Sequence, residues 1–399
     1  MASPSERIDY NKDVYIQDGI INKIRPTSGS HPKNTVVIDG TGKYLLPGLI
    51  DMHAHLPRPG DTFGTKDFLL LNLLNGITTL RQMRGEFQDL ALRDSIGKGL
   101  LIGGDIFISA PYFRNGKTFS SKACLDSLIK YKKEGFDFAK YLFGLTDDQY
   151  DTLRGLAQKI NFKLTGHTPP GGLKKAVESR QWSIEHIAPF VKLYQKDSID
   201  FWDTIGKMSE YHLFNCPDLK WDDIQGSHKA LKDKLAQSGN QHWFSETKER
   251  LQRAEKEWIL EATLKNPVAF AQGILNDQSD VDIYRRLLPR IHKKGVPLLI
   301  SAGAGDFIVP GFGYVDELLN FSSVGISNYE TLRCATYNAA ECLGQLNNIG
   351  IIEVGKRANM IILTANPLNN MENIKKIEMV VLRGKVFLND ELEKMIKQR

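Results

Sequence analysis

Short, strand-like runs rich in apolar residues, separated by tight turns, lie at both ends of this chain. Near the start, Asp13–Gln17 and Ile20–Ile24 have this pattern, and the Asp18-Gly19 pair between them is a hairpin signal. The other short strand-like runs are Thr35–Ile38, Tyr44–Leu46, Asn359–Leu363 and Met379–Phe387. Since both ends are rich in strands, we predict that residues 1–47 and 346–399 meet in one small β-sandwich.

The middle of the chain, residues 48–345, alternates strand-like and helical runs in the manner of a parallel (β/α)8 barrel. The eight candidate strands are Leu49–His53, Thr78–Arg81, Asp105–Ile108, Phe136–Lys140, Lys163–His167, Ser183–His186, Leu213–Cys216 and Pro297–Ile300. We therefore predict an α/β protein with a TIM-like barrel. Residues 221–277 are rich in helix formers and predict either a helical insertion over the barrel mouth or a lengthened barrel helix.

Composition narrows the functional class. The 399 residues are 41% hydrophobic and 25% charged, which is typical of a globular protein. The net charge of +5 is spread thinly, so we expect no nucleic-acid partner. No apolar stretch approaches the roughly 18 residues of a membrane span, so no membrane partner is expected either. The four cysteines lack metal-type spacing and are interpreted as buried free thiols.

Localisation follows from the first residues. Met1–Arg7 lacks the apolar core of a signal peptide, which favours a cytoplasmic protein. An exported form would be expected if a preceding segment had been trimmed.

A metal-type motif, His53-Ala54-His55, ends the apolar run that begins at Tyr44. Residues i and i+2 of a strand face the same side, so both imidazoles can bind one ion. Further candidate ligands, Lys140, His167 and His186, lie at later strand ends. Each has a simpler alternative: His167 could cap a loop, His186 could be a core histidine, and Lys140 could be a charge at the barrel rim.

Several segments together resemble the amidohydrolase superfamily, and specifically its imidazolonepropionase-like branch. That branch includes Xaa-Pro dipeptidases, carboxypeptidase-type enzymes and ochratoxin-hydrolysing amidases. The matching segments are Leu46–His55, Gly76–Arg81, Asp137–Lys140, Gly166-His167, Ser183–His186 and Gly350–Asn359. The resemblance covers nearly the whole chain.

The resemblance implies two divalent metal ions. His53 and His55 would bind the first ion, and His167 and His186 the second. Lys140, as a carbamate, would bridge them, because an unmodified ammonium has no lone pair to offer. We expect zinc, although these ligands also suit manganese, cobalt or iron.

One position departs from the family pattern. Gly303 occupies the place of an aspartate that binds metal and accepts a proton from the attacking water, and glycine can do neither. Asp306 could substitute only if its loop folds back towards the metals. We therefore expect this chain to be nearly inactive, through a natural loss or an introduced substitution, and rank that above rescue by Asp306.

Three residues are candidate substrate contacts. Arg81 could clamp a substrate carboxylate at the barrel mouth, with pairing to a neighbouring acid such as Glu86 as the alternative. Tyr141 would reach the substrate only if the strand end twists inward, and otherwise packs. Among the remaining histidines, His212 is kept as a possible contact.

The expected function is hydrolysis of an amide bond in a small peptide-like molecule that carries a carboxylate. N-acyl amino acids, dipeptides and ochratoxin-like amides are the expected substrates. The alternatives are lactone or phosphotriester hydrolysis at the same site, and a non-catalytic pseudoenzyme or assembly protein. We also expect a homo-oligomer.

Overall fold

The computed structural model describes residues 8–397 except 30, 62, 115, 227–234, 304–306 and most of 243–266. The strands of the described part are β1 Lys12–Gln17, β2 Ile20–Pro26, β3 Tyr44–Pro47, β4 Leu49–Ala54, β5 Ile77–Gln82, β6 Asp105–Ile108, β7 Phe113–Arg114, β8 Ala139–Phe143, β9 Leu164–Gly166, β10 Ser183–Glu185, β11 Phe214–Cys216, β12 Met360–Leu363, β13 Ile377–Leu382 and β14 Lys385–Leu388.

Helices connect most of these strands. Their bounds are Thr65–Leu74, Phe87–Gly97, Ser121–Glu134, Asp147–Lys159, Gly172–Glu178, Ala188–Lys196, Ser198–Glu210, Leu219–Trp221, Pro267–Lys293, Phe312–Ser323, Asn328–Arg333, Ala339–Cys342 and Asn389–Lys397. Within the described residues, none of these helices is long and apolar enough to cross a bilayer.

Parallel strands form the predicted barrel. Strands β4, β5 and β6 pair in order, as do β8, β9, β10 and β11. Backbone hydrogen bonds close the ring: the Ala110 N–H donates to Phe138 O at 2.7 Å, and the Leu299 N–H donates to Asn215 O at 2.9 Å. The Met52 N–H then donates to Ile300 O at 3.1 Å, so residues 297–300 act as the eighth strand. The prediction of a TIM-like barrel is confirmed.

Both chain ends contribute to a separate antiparallel sheet in the order β14-β13-β12-β3. The hairpin β1-β2 lies against it, and the Ile21 N–H donates to Lys356 O at 2.8 Å. Ile21, Ala358 and Met360 are buried between the two layers. Apolar positions separated by 300 residues therefore share one small core.

The predicted strand Thr35–Ile38 is wrong, because this segment forms no ladder and the Val36 side chain is 88% exposed. The predicted helical insertion at about residues 221–277 lies partly outside the described residues. Its described ends are helical, in Asp222–Gly226 and in Pro267–Lys293.

Candidate metal centre

Four histidines converge at the carboxyl end of the barrel. His53 lies on β4 with His55 just beyond it, while His167 and His186 directly follow β9 and β10. The ring centroid of His53 lies 5.3 Å from that of His55 and 4.9 Å from that of His186. The His167 and His186 centroids are also 4.9 Å apart. Lys140 joins them, with its Nζ 3.3 Å from His53 Nε2.

Burial keeps these histidines uncharged. It lowers the pKa of His53 and His55 well below the usual value, and Lys140 acts in the same direction. Burial also lowers the pKa of His167 to about 4 and that of His186 to about 3. At neutral pH each ring therefore has a free nitrogen lone pair, the form that binds metal ions.

A buried carboxylate orients the His53 ring. Glu185 Oε2 lies 2.9 Å from His53 Nδ1, so that nitrogen donates its proton and Nε2 is left facing Lys140. Glu185 Oε1 accepts hydrogen bonds from Arg81 Nη2 at 2.9 Å, Ser183 Oγ at 2.6 Å and Thr165 Oγ1 at 3.0 Å. The Glu185 carboxylate is thus held by partners from four strands.

Arg81 is placed inside the barrel, which corrects the expectation that it faces the mouth. Its side chain is fully buried, and besides the contact to Glu185 its Nε donates to Met52 O at 2.6 Å and its Nη1 to Ser183 Oγ at 2.8 Å. The alternative expectation was an ion pair between Arg81 and an acid such as Glu86. Arg81 does form an ion pair, but its partner is Glu185.

The other two predicted substrate contacts also lie away from the histidines. His212 precedes β11, at the opposite end of the barrel, where its half-exposed ring pairs with Glu341 at 3.1 Å. Tyr141 is buried and packs edge to face against Tyr150, with the ring centroids 5.3 Å apart. Strand alternation explains this second placement, because Tyr141 follows the inward-facing Lys140.

Asp218 enters the site without having been predicted. It lies two residues after β11 and is fully buried, with Oδ2 3.0 Å from His53 Nδ1 and 3.3 Å from His186 Nδ1. Burial raises its pKa well above the usual value, and Glu185 acts in the same direction. Its position just beyond the predicted strand Leu213–Cys216 is the signal that could have identified it.

Gly303 lies beside these residues. Its φ of +66° falls in the left-handed region, and its N–H donates to Ser301 Oγ at 3.0 Å. A Cβ at this position would lie 2.9 Å from the Cβ of Trp221, so an introduced side chain requires Trp221 to shift. Asp306, the predicted substitute, lies outside the described residues.

A cavity of about 330 Å³ opens next to the histidines. His55, Trp221 and Gly303 line it on the histidine side. Phe63 and Phe68 supply aromatic surface. Arg84 also lines the cavity, and its Nη2 donates to Asp61 Oδ2 at 2.8 Å. The sequence did not indicate this positively charged residue of the cavity wall.

The donor set fits divalent cations. Three buried atoms, His55 Nε2, His186 Nδ1 and Asp218 Oδ2, have no hydrogen-bond partner among the described residues. Buried polar atoms are normally paired, so such a group indicates a missing ligand. Possible ligand atoms of His53, Glu185, Cys216 and Asp218 also lie within 4.8 Å of one another. Nitrogen and oxygen donors of this kind suit zinc and its neighbours.

A parallel barrel whose carboxyl rim brings neutral histidines together has the architecture of metal-binding barrel proteins. The family model described as "Amidohydrolase family" matches residues 44–387. The chain belongs to the amidohydrolase family, which confirms the resemblance seen in the sequence.

Individual relatives match this chain either over a short segment or at low sequence identity. The dihydroorotase of Syntrophus aciditrophicus (strain SB) is 42% identical over 60 residues, which are 15% of this chain and 14% of that protein. The imidazolonepropionase of Geobacillus kaustophilus (strain HTA426) is 23% identical over 95% of this chain and 91% of its own length.

Solved structures share the fold over almost the whole chain. The bottromycin amidohydrolase AH has a TM-score of 0.74 at 19% identity, covering 96% of this chain and 84% of its own. A Xaa-Pro dipeptidase with methionine bound in its active site has a TM-score of 0.73 at 18% identity, covering 96% and 97%.

Proposed function

We propose that this protein is a metal-dependent hydrolase that cleaves an amide bond in a small, carboxylate-bearing, peptide-like molecule. One observation carries the proposal: four uncharged histidines and Lys140 meet at one end of the barrel, beside a cavity of about 330 Å³. Membership of the amidohydrolase family supports this reaction class. The dipeptidase and the bottromycin amidohydrolase of similar fold support a peptide-like substrate.

The proposed metal ligands are the residues that the sequence indicated. His53 and His55 would hold one ion and His167 and His186 another, with zinc as our first choice. Lys140 would join them as a carbamate. Burial lowers the pKa of Lys140 to about 8, with the charge of Arg81 acting in the same direction, which raises the fraction of neutral amine that can react with carbon dioxide. Bound divalent ions would lower the pKa of a water molecule and polarise the scissile carbonyl.

Arg84 is the proposed anchor for the substrate carboxylate. It lines the cavity, whereas Arg81 is enclosed by protein groups. Its guanidinium is about one-third exposed and pairs with Asp61, which a substrate carboxylate could replace. The rings of Phe63 and Phe68 would contact the apolar part of the substrate.

Turnover by this chain is proposed to be slow. Gly303 lines the cavity but has no carboxylate to accept a proton from the attacking water. Positioned general bases typically contribute about 10² to 10⁴ in rate. Binding of the substrate by Arg84 and the aromatic rings does not depend on that base.

The decisive experiment compares the wild-type protein with Gly303→Asp and Gly303→Asn at matched zinc content. Asparagine is the matched control because it has the shape of aspartate and the same contact with Trp221, but it is not a base. N-acyl amino acids, Xaa-Pro dipeptides, ochratoxin-like amides, lactones and phosphotriesters form the substrate panel. We expect Gly303→Asp alone to gain about 10² to 10⁴ in amide turnover.

The panel also separates the alternatives. Preference for a lactone or phosphotriester would replace the proposed substrate class. A protein that holds metal but, even as Gly303→Asp, turns over nothing would be a non-catalytic member of the family. If the wild-type protein is already as fast as Gly303→Asp and loses activity as Asp306→Ala, Asp306 is the base.

A further inference from the structure

We propose that Asp218 is a metal ligand and brings to the metal centre a carboxylate that position 303 cannot supply. This inference rests on the metal centre of the proposed function. It adds a residue from the turn after β11 to ligands that lie on or just beyond β4, β8, β9 and β10.

Asp218 combines full burial with an oxygen, Oδ2, that has no hydrogen-bond partner among the described residues. His186 Nδ1, 3.3 Å away, is also buried and lacks one. The other oxygen of Asp218, Oδ1, accepts a hydrogen bond from Cys216 Sγ at 3.3 Å. A buried carboxylate with one oxygen left unpaired still costs free energy unless a cation or a proton compensates it. Two such atoms aimed at the same space indicate a shared cation.

The spacing of the two atoms supports the same role. Two ligand atoms bound tetrahedrally to one zinc ion at about 2.0 to 2.2 Å lie roughly 3.3 to 3.6 Å from each other. The distance from Asp218 Oδ2 to His186 Nδ1, 3.3 Å, lies at the lower end of this range. Asp218 Oδ2 also lies 3.0 Å from His53 Nδ1, but that nitrogen donates to Glu185 Oε2 at 2.9 Å and has no second proton. A hydrogen bond from His53 therefore does not account for the position of Asp218.

Protein contacts outside the metal centre hold this turn in place. Asp218 has a left-handed φ of +54°, which aspartate tolerates better than most residues. The next two residues are tied down, since the Leu219 N–H donates to Glu317 Oε1 at 2.9 Å and the Lys220 N–H to Glu317 Oε2 at 2.8 Å. Glu317 is itself fully buried. Asp218 is thus preorganised by contacts outside the metal centre.

The position of Asp218 distinguishes this role from that of the missing base. His55, Trp221 and Gly303 line the substrate cavity, whereas Asp218 is not part of that lining. The lining also leaves out His53, His167 and His186, so Asp218 is grouped with the proposed metal ligands that lie behind the cavity. The same chain can therefore bind metal through Asp218 and still turn over slowly, because position 303 has no base.

The first test measures zinc binding by the full-length protein. Asp218→Asn preserves the shape of the side chain and removes its charge. Asp223→Asn is the matched control, because Asp223 is a buried acid of the same segment that pairs with Arg285 at 3.3 Å. Zinc content after dialysis is measured by mass spectrometry, and affinity by competition with a chromophoric chelator.

We expect two zinc ions per chain in the wild-type protein and in Asp223→Asn. Asp218→Asn should lose one ion or bind it more than about 100-fold more weakly, beyond the 10- to 100-fold loss typical of residues that only orient ligands. Retention of both ions with a loss of affinity of about 100-fold or less would overturn the inference. A wild-type protein that binds no zinc would overturn the metal centre itself, so the two failures are distinguishable.

A second measurement does not depend on the folding of any variant. Anomalous diffraction from zinc-loaded crystals of the wild-type protein locates the ions directly. We expect an Asp218 carboxylate oxygen about 2.0 to 2.2 Å from one zinc ion. A carboxylate more than about 3 Å from both ions would make Asp218 an orienting residue and refute the proposal.

Discussion

Replacing Lys140 by methionine should stabilise the metal-free protein and at the same time weaken metal binding. Lys140 is 1% exposed, and burial lowers its pKa from 10.5 to about 8. At about 1.4 kcal/mol per pKa unit, holding the protonated side chain in the folded state costs about 3 kcal/mol at pH 7. Methionine has a similar unbranched shape and no charge. It forfeits the contact with His53 Nε2, worth about 1 kcal/mol, so the net gain should be about 2 kcal/mol.

The pH dependence of this gain has a defined sign. Below pH 8 the lysine is protonated in both the folded and the unfolded state, and the destabilisation is complete. Between pH 8 and 10.5 the unfolded chain retains the proton while the folded protein loses it, so the stability of the wild-type protein rises relative to the variant. The advantage of Lys140→Met should therefore disappear by about pH 10.5.

The assay is urea denaturation of chelator-treated protein in buffers free of carbon dioxide, at pH 7 and at pH 10.5. Lys122→Met is the control, since Lys122 is exposed and paired only with Asp126 on the same helix. Zinc content is measured in parallel and should fall in Lys140→Met. An unchanged or lower free energy of unfolding for Lys140→Met at pH 7, or a difference that does not vary with pH, would refute the reasoning.

Two further substitutions separate a substrate anchor from a structural arginine, and both are measured in a Gly303→Asp background. Arg84→Met should raise KM for carboxylate substrates far more than for their amides, because Arg84 lines the cavity; equal effects on both would exclude it as the anchor. Arg81→Met should lower the free energy of unfolding by about 3 to 5 kcal/mol, because the buried carboxylate of Glu185 loses its ion pair. In that variant steady-state kinetics should show no preference between carboxylates and amides, and a selective rise in KM would restore Arg81 as a substrate contact.

The sequence by itself determined the class of fold and the place where the histidines meet. Strand runs and the residues at their ends are local patterns, and a parallel barrel brings the carboxyl ends of its strands to one rim. The strand ends therefore predict that His53, His167 and His186 converge, and the structure places the ring centroids of His53 and His167 each 4.9 Å from that of His186. The false strand Thr35–Ile38 shows the limit of a local pattern, since no neighbouring strand pairs with it.

The tertiary structure alone decided which charged residues face the metals, the cavity or the core. Arg81 lies on β5 and Arg84 two residues beyond it, yet the first is enclosed and the second lines the cavity. The partner that encloses Arg81 is Glu185, 104 residues away along the chain, so no local pattern could indicate the pair. Asp218 reaches the histidines because Glu317, on a distant helix, holds the following turn. Such placements depend on the closure of the barrel, which brings side chains together irrespective of their separation in sequence.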